Sequence, residues 1–411
     1  MRLSALKLGA LKLAGGAGLS QVIVVLATPL LTRLFSPYEF GEFALFASLY
    51  ALLVGVATLK FEQALVLPGD DETSLGLARL TLACSAIGAL VALAGLVLAD
   101  RAWQALAWYQ FILPAALFLG ALVSVAQQWC LRVRDYGPIA ASGIAGALAN
   151  VGSVLLLYAA GWRDGALILG YVAGLVVTAA YLWRGRGALL ASIVRSSRSP
   201  WPLFAEYRQF PAHVLPGALA TAIAGSGMPI VVTHYAGAAA AGLYAIANRL
   251  LALPAILVGN AVQSVFYSEL GTRLNAGQDV RGFFLRTLGA LAGLALPGFA
   301  LLWWLSPWLF RWVFGPDFVE AGHYARYLCI GVAAAFIAIP LAPVFIALRR
   351  TRAGLLLQLA SSLGPIVAFA LGFQRGGMET GLVWFTLAWT TASAASIGMA
   401  AHAVLARSAA A

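Results

Sequence analysis

The chain of 411 residues is 62% hydrophobic and only 10% charged, and its mean hydropathy of +0.89 excludes a soluble globular protein. Its formal net charge is +11, but the basic residues lie mostly in short segments between apolar runs. This distribution indicates membrane topology and not a nucleic-acid partner. The cysteines, Cys84, Cys130 and Cys329, lie in separate apolar runs. They indicate buried side chains, not a disulfide framework or a metal site.

Apolar runs of about 20 residues recur along the whole chain, and this is the length that crosses roughly 30 Å of hydrocarbon. We predict an all-α integral membrane protein of twelve transmembrane helices in two six-helix bundles, residues 1–183 and 212–411, joined by a cytoplasmic linker over 184–211. No glycine-rich phosphate loop is present, so we expect no nucleotide or other cofactor. The predicted helices cover residues 13–34, 41–64, 79–99, 108–130, 138–160, 166–184, 212–235, 241–267, 283–305, 325–348, 354–373 and 381–404.

The first predicted helix has the basic flank of a signal peptide, but it is too long for one. It ends at Arg33 without a cleavage site of small residues, so we expect a retained span. A cytoplasmic N-terminus places about three quarters of the Lys and Arg residues on the inner side. Both termini are then cytoplasmic, and the largest external loop is 307–324. Arg33 is either an interface anchor or a cation that lines a cavity.

Lys60 and Glu62 fall near the inner end of the second predicted helix. They are either a pair of interface charges or a charged site at the cytoplasmic mouth of a cavity. In the second case Lys60 is a cavity cation, and Glu62 is the best-placed group for proton coupling because burial beside a lysine changes how a carboxyl group titrates. The acidic run over 70–72 predicts a solvated loop, since no second set of metal ligands accompanies it.

The two halves resemble each other at a constant offset of 201 residues. An even number of spans in each half predicts parallel repeats, related by an axis along the membrane normal. This organisation favours a transporter, because transporters commonly place their site at a repeat interface. The matching positions are Thr32-Arg33-Leu34 with Gly41, Phe43 and Ala44, and Thr233-His234-Tyr235 with Gly242, Tyr244 and Ala245.

Arg249 lies inside the eighth predicted helix, where an arginine costs roughly 2.5 kcal/mol or more at the bilayer centre. Asn260, Gln263 and Tyr267 follow at steps close to whole helical turns, so we expect all four side chains near one face. Arg249 is either a cavity cation or an arginine that snorkels to the outer interface. Asn260 and Gln263 either line a cavity or bond between helices.

Several motifs in both halves resemble bacterial polysaccharide-biosynthesis membrane proteins. The resemblance covers most of the chain. In the first half it rests on Thr28-Pro29-Leu30-Leu31-Thr32-Arg33-Leu34, Ser36-Pro37, Phe40-Gly41, Phe43-Ala44 and Lys60-Phe61-Glu62-Gln63-Ala64 before Leu67-Pro68. In the second half it rests on Tyr207-Arg208, Phe210-Pro211, Pro229, Gly242-Leu243-Tyr244-Ala245, Arg249, Pro254, Gly259, Val262, Phe266, Phe314-Gly315-Pro316 and Ala321-Gly322.

The resemblance implies membership of the multidrug/oligosaccharidyl-lipid/polysaccharide exporter superfamily, whose members place two six-helix bundles around a central cavity and work by alternating access. It also implies an undecaprenyl-pyrophosphate-linked oligosaccharide as substrate, flipped across a bacterial inner membrane for O-antigen or exopolysaccharide synthesis. Membrane lipids, and a polymerase with chain-length proteins, are the expected partners of a chain that functions as a monomer. Arg249, Arg33 and Lys60 would then hold the pyrophosphate.

The sequence leaves two alternative functions open. One is a cation-coupled multidrug exporter of the same superfamily. Two features argue against it: residues 13–34 contain no carboxylate, and the residues proposed for the cavity are basic. The other is a membrane polysaccharide polymerase or ligase. Such enzymes usually carry a large external loop for the chemistry, and the sequence predicts no such loop.

Overall fold

The computed structural model describes residues 2–103, 107–254, 258–348 and 350–408; for residues 2–8, 10, 11, 102, 103, 260, 261, 351, 407 and 408 it describes the backbone alone. All regular secondary structure in these described ranges is helical. The helices are α1 Arg2–Leu34, α2 Pro37–Ala57, α3 Asp71–Trp103, α4 Leu113–Arg132, α5 Gly137–Ala159, α6 Ala166–Trp183, α7 Gly187–Arg195, α8 Pro200–Glu206, α9 Leu215–Pro254, α10 Asn260–Asn275, α11 Arg281–Val313, α12 Val319–Leu341, α13 Pro343–Ala347 and α14 Thr351–Ser408.

The structure confirms the predicted all-α membrane fold of twelve spans. Ten helical stretches in the described ranges are long and apolar enough to cross a membrane. Two of them, which contain α9 and α14, are long enough to cross twice, and each is broken by glycine. Gly237 has φ 84° in α9, and Gly377 has φ 73° in α14. Positive φ interrupts a right-handed helix, and glycine adopts it without steric cost. Each long helix therefore supplies two spans.

Some helix boundaries differ from the prediction. The second helix ends at Ala57, not at residue 64, because Leu59 and Lys60 adopt left-handed backbone angles with φ 50° and 61°. The predicted helix over 241–267 is also divided, since α9 ends at Pro254 and α10 begins at Asn260. Helix α11 continues to Val313, which shortens the loop predicted over 307–324.

The chain divides into two compact units. The N-terminal unit comprises Met1–Phe35 and Glu42–Ala222, and the C-terminal unit comprises Ser36–Gly41 and Ile223–Ala411. The predicted linker over 184–211 lies wholly within the N-terminal unit and contains α7 and α8. The first turn of α2, in contrast, packs with the C-terminal unit.

Helices α7 and α8 take part in the core of the N-terminal unit. Ile193 of α7 and Leu203 of α8 are 1% and 4% exposed, and they pack in a cluster with Phe61 and Leu65 of the short 3₁₀ helix that follows α2. Arg79 of α3 donates a hydrogen bond to the Ser196 carbonyl at 3.0 Å. The connection between the predicted bundles is therefore a packed part of this unit.

Within the C-terminal unit, the first turn of α2 crosses α9 in direct backbone contact. The turn begins with a capping box, in which the Ser36 N–H donates to Glu39 Oε2 at 2.7 Å and the Glu39 N–H donates to Ser36 Oγ at 3.4 Å. A side chain at Gly242 would overlap the carbonyl of Pro37, and a side chain at Gly41 would overlap the backbone of Ala238. Gly41 and Gly242 are the repeat-related pair of the sequence, and here they meet.

Candidate functional site

Lys60 and Glu62 form an ion pair in the N-terminal unit. The left-handed backbone of Lys60 ends the turn after α2 and begins the 3₁₀ helix Phe61–Val66. Lys60 Nζ lies 3.6 Å from Glu62 Oε1, and the two side chains are 20% and 7% exposed. The lysine side chain runs back along α2, since a β-carbon at Gly55 would lie 3.3 Å from its Nζ. The pair is therefore mostly shielded from solvent.

The Glu62 carboxylate is only half satisfied. Its Oε2 atom is buried and has no hydrogen-bond partner within the described ranges. Fully buried apolar side chains of the same cluster, Phe61, Leu65 and Leu77, lie around this segment. A buried acceptor without a donor is costly, by about 1–3 kcal/mol and more when it is charged. Glu62 Oε2 is therefore an acceptor that no donor satisfies within the described ranges.

The two arginines singled out in the sequence have different surroundings. Arg33 lies in the last turn of α1 and is exposed. Arg249 lies in the second half of α9, twelve residues after the break at Gly237, and is partly buried. No ion pair joins Arg249 to a carboxylate in the part of the chain that the structure describes. Its charge is thus uncompensated within a predicted membrane span.

A cavity of about 710 Å³ lies in the C-terminal unit among α9, α10, α12, α13 and α14. Gln263 lines this cavity and donates a hydrogen bond to the Ile339 carbonyl at 3.2 Å. Arg249 is not among its lining residues, and Tyr267 is 47% exposed. The side chain of Asn260 lies outside the described part of the chain. The division between α9 and α10 thus separates Arg249 from the helix that carries Gln263.

The cavity wall contains polar residues that the sequence analysis did not single out as site residues. Tyr244 and Asn248 line it from successive turns of α9, and Trp389, Ser393 and Ser396 line it from one face of α14. Polar side chains that recur every three or four residues inside apolar spans are the signal that would have found them. That signal is weak in this chain, because serine and alanine are both common in spans and pack in the same way.

In the described ranges, no three His, Cys, Asp or Glu residues are grouped as metal ligands. The arrangement therefore offers two kinds of polar surroundings. One is charged, at Lys60 and Glu62 and at Arg249, and the other is the neutral cavity of the C-terminal unit.

Comparisons with known proteins identify the family and the fold. The sequence matches the family described as "Polysaccharide biosynthesis protein" over residues 30–322. Among curated proteins, none matches this sequence. The fold is similar to that of an inward-facing multidrug resistance MATE family transporter of the MOP superfamily, with a TM-score of 0.75 at 14% identity over 94% of this chain and 95% of the other.

Two further structures share the fold. The lipid II flippase MurJ in an inward closed conformation has a TM-score of 0.69 at 13% identity, over 95% of this chain and 87% of its own. A MOP superfamily transporter from Pyrococcus furiosus, described as having a binding pocket of reverse polarity, has a TM-score of 0.58 at 16% identity, over 97% and 96%. With a family match over most of its length, the chain belongs to the polysaccharide biosynthesis protein family, and it is a multi-pass membrane protein whose fold is similar to that of MOP superfamily transporters.

Proposed function

We propose that this chain flips an oligosaccharide carried on undecaprenyl diphosphate from the inner to the outer leaflet of a bacterial cytoplasmic membrane by alternating access. Family membership supports a role in polysaccharide synthesis, and one protein of the same fold is described as a lipid II flippase. The observation that carries the proposal to this substrate is the uncompensated Arg249.

An arginine in a membrane span needs an anionic partner or a route to water, because its charge is costly in hydrocarbon. In the described part of the chain Arg249 has no carboxylate partner. A diphosphate would supply that partner, since the planar guanidinium bonds phosphate oxygens in a bidentate manner. Arg33, in the last turn of α1, would be a second cation for the carrier lipid.

Lys60 would join these cations only when its pair with Glu62 opens. At 3.6 Å the two charges neutralise each other, so Lys60 has little net charge to offer an anion. Protonation of Glu62 would remove its charge and release Lys60 toward a phosphate group. A proton could thus be coupled to substrate binding through Glu62, whose buried Oε2 has no partner within the described ranges.

The role of Arg249 is tested by flipping of undecaprenyl-diphosphate-linked oligosaccharide in proteoliposomes. We expect Arg249→Ala to slow flipping by at least tenfold, about 1.4 kcal/mol at the rate-limiting step. Arg249→Lys should retain part of the rate, because the charge remains but the bidentate geometry is lost. Arg311→Ala is the matched control, since Arg311 is an exposed arginine in the last turn of α11. Wild-type flipping by Arg249→Ala would refute the role of Arg249.

The proposed orientation places residues 184–211 and both termini in the cytoplasm. Ser199 and Asp317 are exposed and lie in different connecting segments. In a variant that lacks the three native cysteines, Ser199→Cys should react with impermeant thiol reagents only from the cytoplasm, and Asp317→Cys only from outside. The reverse pattern at either position would overturn this orientation.

A further inference from the structure

The cavity of the C-terminal unit has the size of a ligand site. Its volume of about 710 Å³ falls within the range of about 300–1,000 Å³ that is typical of small-molecule sites. The wall combines many alanine side chains with a few polar groups and aromatic rings. Mostly apolar walls with a small number of convergent polar groups are characteristic of such sites.

Among the described residues that line this cavity, none is Asp, Glu, Lys, Arg or His. Its polar groups are uncharged: the amides and hydroxyls both donate and accept hydrogen bonds, and the indole N–H donates. An anion or cation that entered would lose its hydration without gaining a counter-ion, which is unfavourable. The cavity is therefore unsuited to a diphosphate, to a uronic acid and to a cationic drug.

Several of these polar groups have no partner in the part of the chain that the structure describes. Tyr244 and Ser393 are each only 3% exposed, and neither hydroxyl makes a hydrogen bond to a described residue. The side chains of Asn248 and Trp389 likewise make no hydrogen bond to a described residue. Tyr244 and Ser393 are buried, whereas Asn248 and Trp389 are half-buried. Buried polar groups are nearly always hydrogen-bonded, so an occupant of the cavity would give these side chains the partners that they lack.

An aromatic surface stands beside these groups. The rings of Tyr244 and Phe385 meet edge to face with centroids 6.4 Å apart, and those of Phe385 and Trp389 with centroids 5.5 Å apart. A sugar ring has the complementary chemistry, because its hydroxyls donate and accept while its C–H groups form an apolar face. An acyl chain would cover the aromatic rings but leave Tyr244, Asn248, Trp389 and Ser393 unsatisfied.

We propose that this cavity binds uncharged sugar residues of the transported lipid, while the diphosphate is held elsewhere by the cations. The assignment rests on the proposed flippase function and deepens it. It predicts that the outermost sugars of the natural substrate are neutral.

The test compares three probes in proteoliposomes. They are undecaprenyl diphosphate without sugar, the same lipid bearing a neutral N-acetylhexosamine disaccharide, and the same lipid bearing a disaccharide that ends in a hexuronic acid. We expect the wild-type protein to flip the neutral disaccharide lipid at least about tenfold faster than the acidic one, since a buried charge without a partner is strongly disfavoured. Equal rates for the neutral and acidic probes would overturn the proposal.

A cavity-filling variant then locates the effect. Ala392 lines the cavity, and Ala394, two residues along α14, is exposed and does not line it. Ala392→Leu should lower the ratio of disaccharide-lipid flipping to sugarless-lipid flipping by about tenfold, and Ala394→Leu should leave this ratio at the wild-type value. Tyr244→Phe keeps the volume but removes one hydroxyl, and should lower the same ratio by about threefold to tenfold.

The outcomes separate the two proposals. If the wild-type protein flips none of the three probes, the flippase function fails and this assignment fails with it. If it flips them but Ala392→Leu and Tyr244→Phe keep the wild-type ratio, the function stands and the sugar site is refuted. An equal loss with all three probes would refute the sugar site as well, because it would assign the cavity to the carrier lipid or to the conformational change.

Discussion

The N-terminal and C-terminal units enclose different kinds of polar side chain. The N-terminal unit holds an ion pair, Lys60 and Glu62, mostly shielded from solvent, in a segment whose Phe61 and Leu65 belong to an apolar cluster. The C-terminal unit has a cavity of about 710 Å³, and the described polar residues that line it are uncharged. The two halves of the sequence carry related motifs, one with Gly41 and one with Gly242, yet they contribute to these two different arrangements. Site chemistry here depends on a few side chains within a shared fold.

The two repeats share one strict requirement, a residue without a side chain at the helix crossing. Gly41 and Gly242 occupy equivalent positions in the two repeats, and both lie at the crossing of α2 and α9. A backbone contact tolerates no side chain, whereas a cavity wall and an ion pair each tolerate alternatives. We therefore expect substitutions to destabilise the protein most at the glycine crossing, less at the ion pair and least at an exposed helix cap.

The largest effect is expected at the glycine crossing. Gly242→Leu places a side chain against the backbone of Pro37 and Gly41, so α2 and α9 must move apart. We expect a loss of about 3 kcal/mol or more in the free energy of unfolding. Gly217→Ala is the control, because a β-carbon there meets no atom within 4 Å. Thermal unfolding in detergent measures both, and equal midpoints would refute the close crossing.

The ion pair of the N-terminal unit gives the next largest effect. Glu62→Ala leaves Lys60 without its partner and should cost about 3 kcal/mol of unfolding free energy, since breaking a buried pair is expensive. The double variant Lys60→Met with Glu62→Met removes both charges and should cost about 1 kcal/mol or less. A double-mutant cycle by thermal unfolding checks this. Additive losses would show that the two side chains do not interact.

The smallest effect is expected at the start of α3. Asp70 is exposed, and the hydroxyl and the N–H of Thr73 donate to its carboxylate and hold its pKa below the ordinary value of 3.8. The lowered pKa means that this contribution to stability is complete above the ordinary pKa and is lost as the pH falls through the lower value of the folded protein.

Asp70→Asn tests this dependence, because asparagine also caps a helix but does not titrate. The unfolding midpoint of the wild-type protein relative to Asp70→Asn should be constant above about pH 5 and should fall as the pH is lowered toward 3. A difference that stays constant over the whole range would show that the Asp70 carboxylate has no such role.

The fold was predictable because its signal is repeated in every span. Long apolar runs predicted an all-α membrane fold of twelve spans, and the structure confirms this fold although some helix boundaries differ. The sequence did not reveal that the second helix stops at Ala57, because nothing in its composition marks Leu59 and Lys60 as left-handed residues. The helices α7 and α8 were likewise missed, since their burial depends on contacts with α3 that no local pattern shows.

The candidate site was harder to predict, since it depends on where side chains point. Spacing alone placed Arg249, Asn260, Gln263 and Tyr267 near one face, but the chain is not one helix between Arg249 and Gln263. The roles of all four residues stay predictions. The neutral cavity could not be foreseen at all, because it forms where residues 224–263 pack against residues 332–396, which are distant in the sequence.

The proposed flippase function is tested most directly with purified protein in proteoliposomes. Two candidate substrates are offered to it in parallel. One is undecaprenyl-diphosphate-linked oligosaccharide, followed by its accessibility to an impermeant reagent, and the other is a cationic dye, followed by its uptake. A flippase with an arginine in a membrane span and no carboxylate partner for it should make the lipid-linked saccharide accessible to the reagent. It should not take up the cationic dye. Dye uptake without any flipping would contradict the account and would identify a multidrug exporter with the same fold.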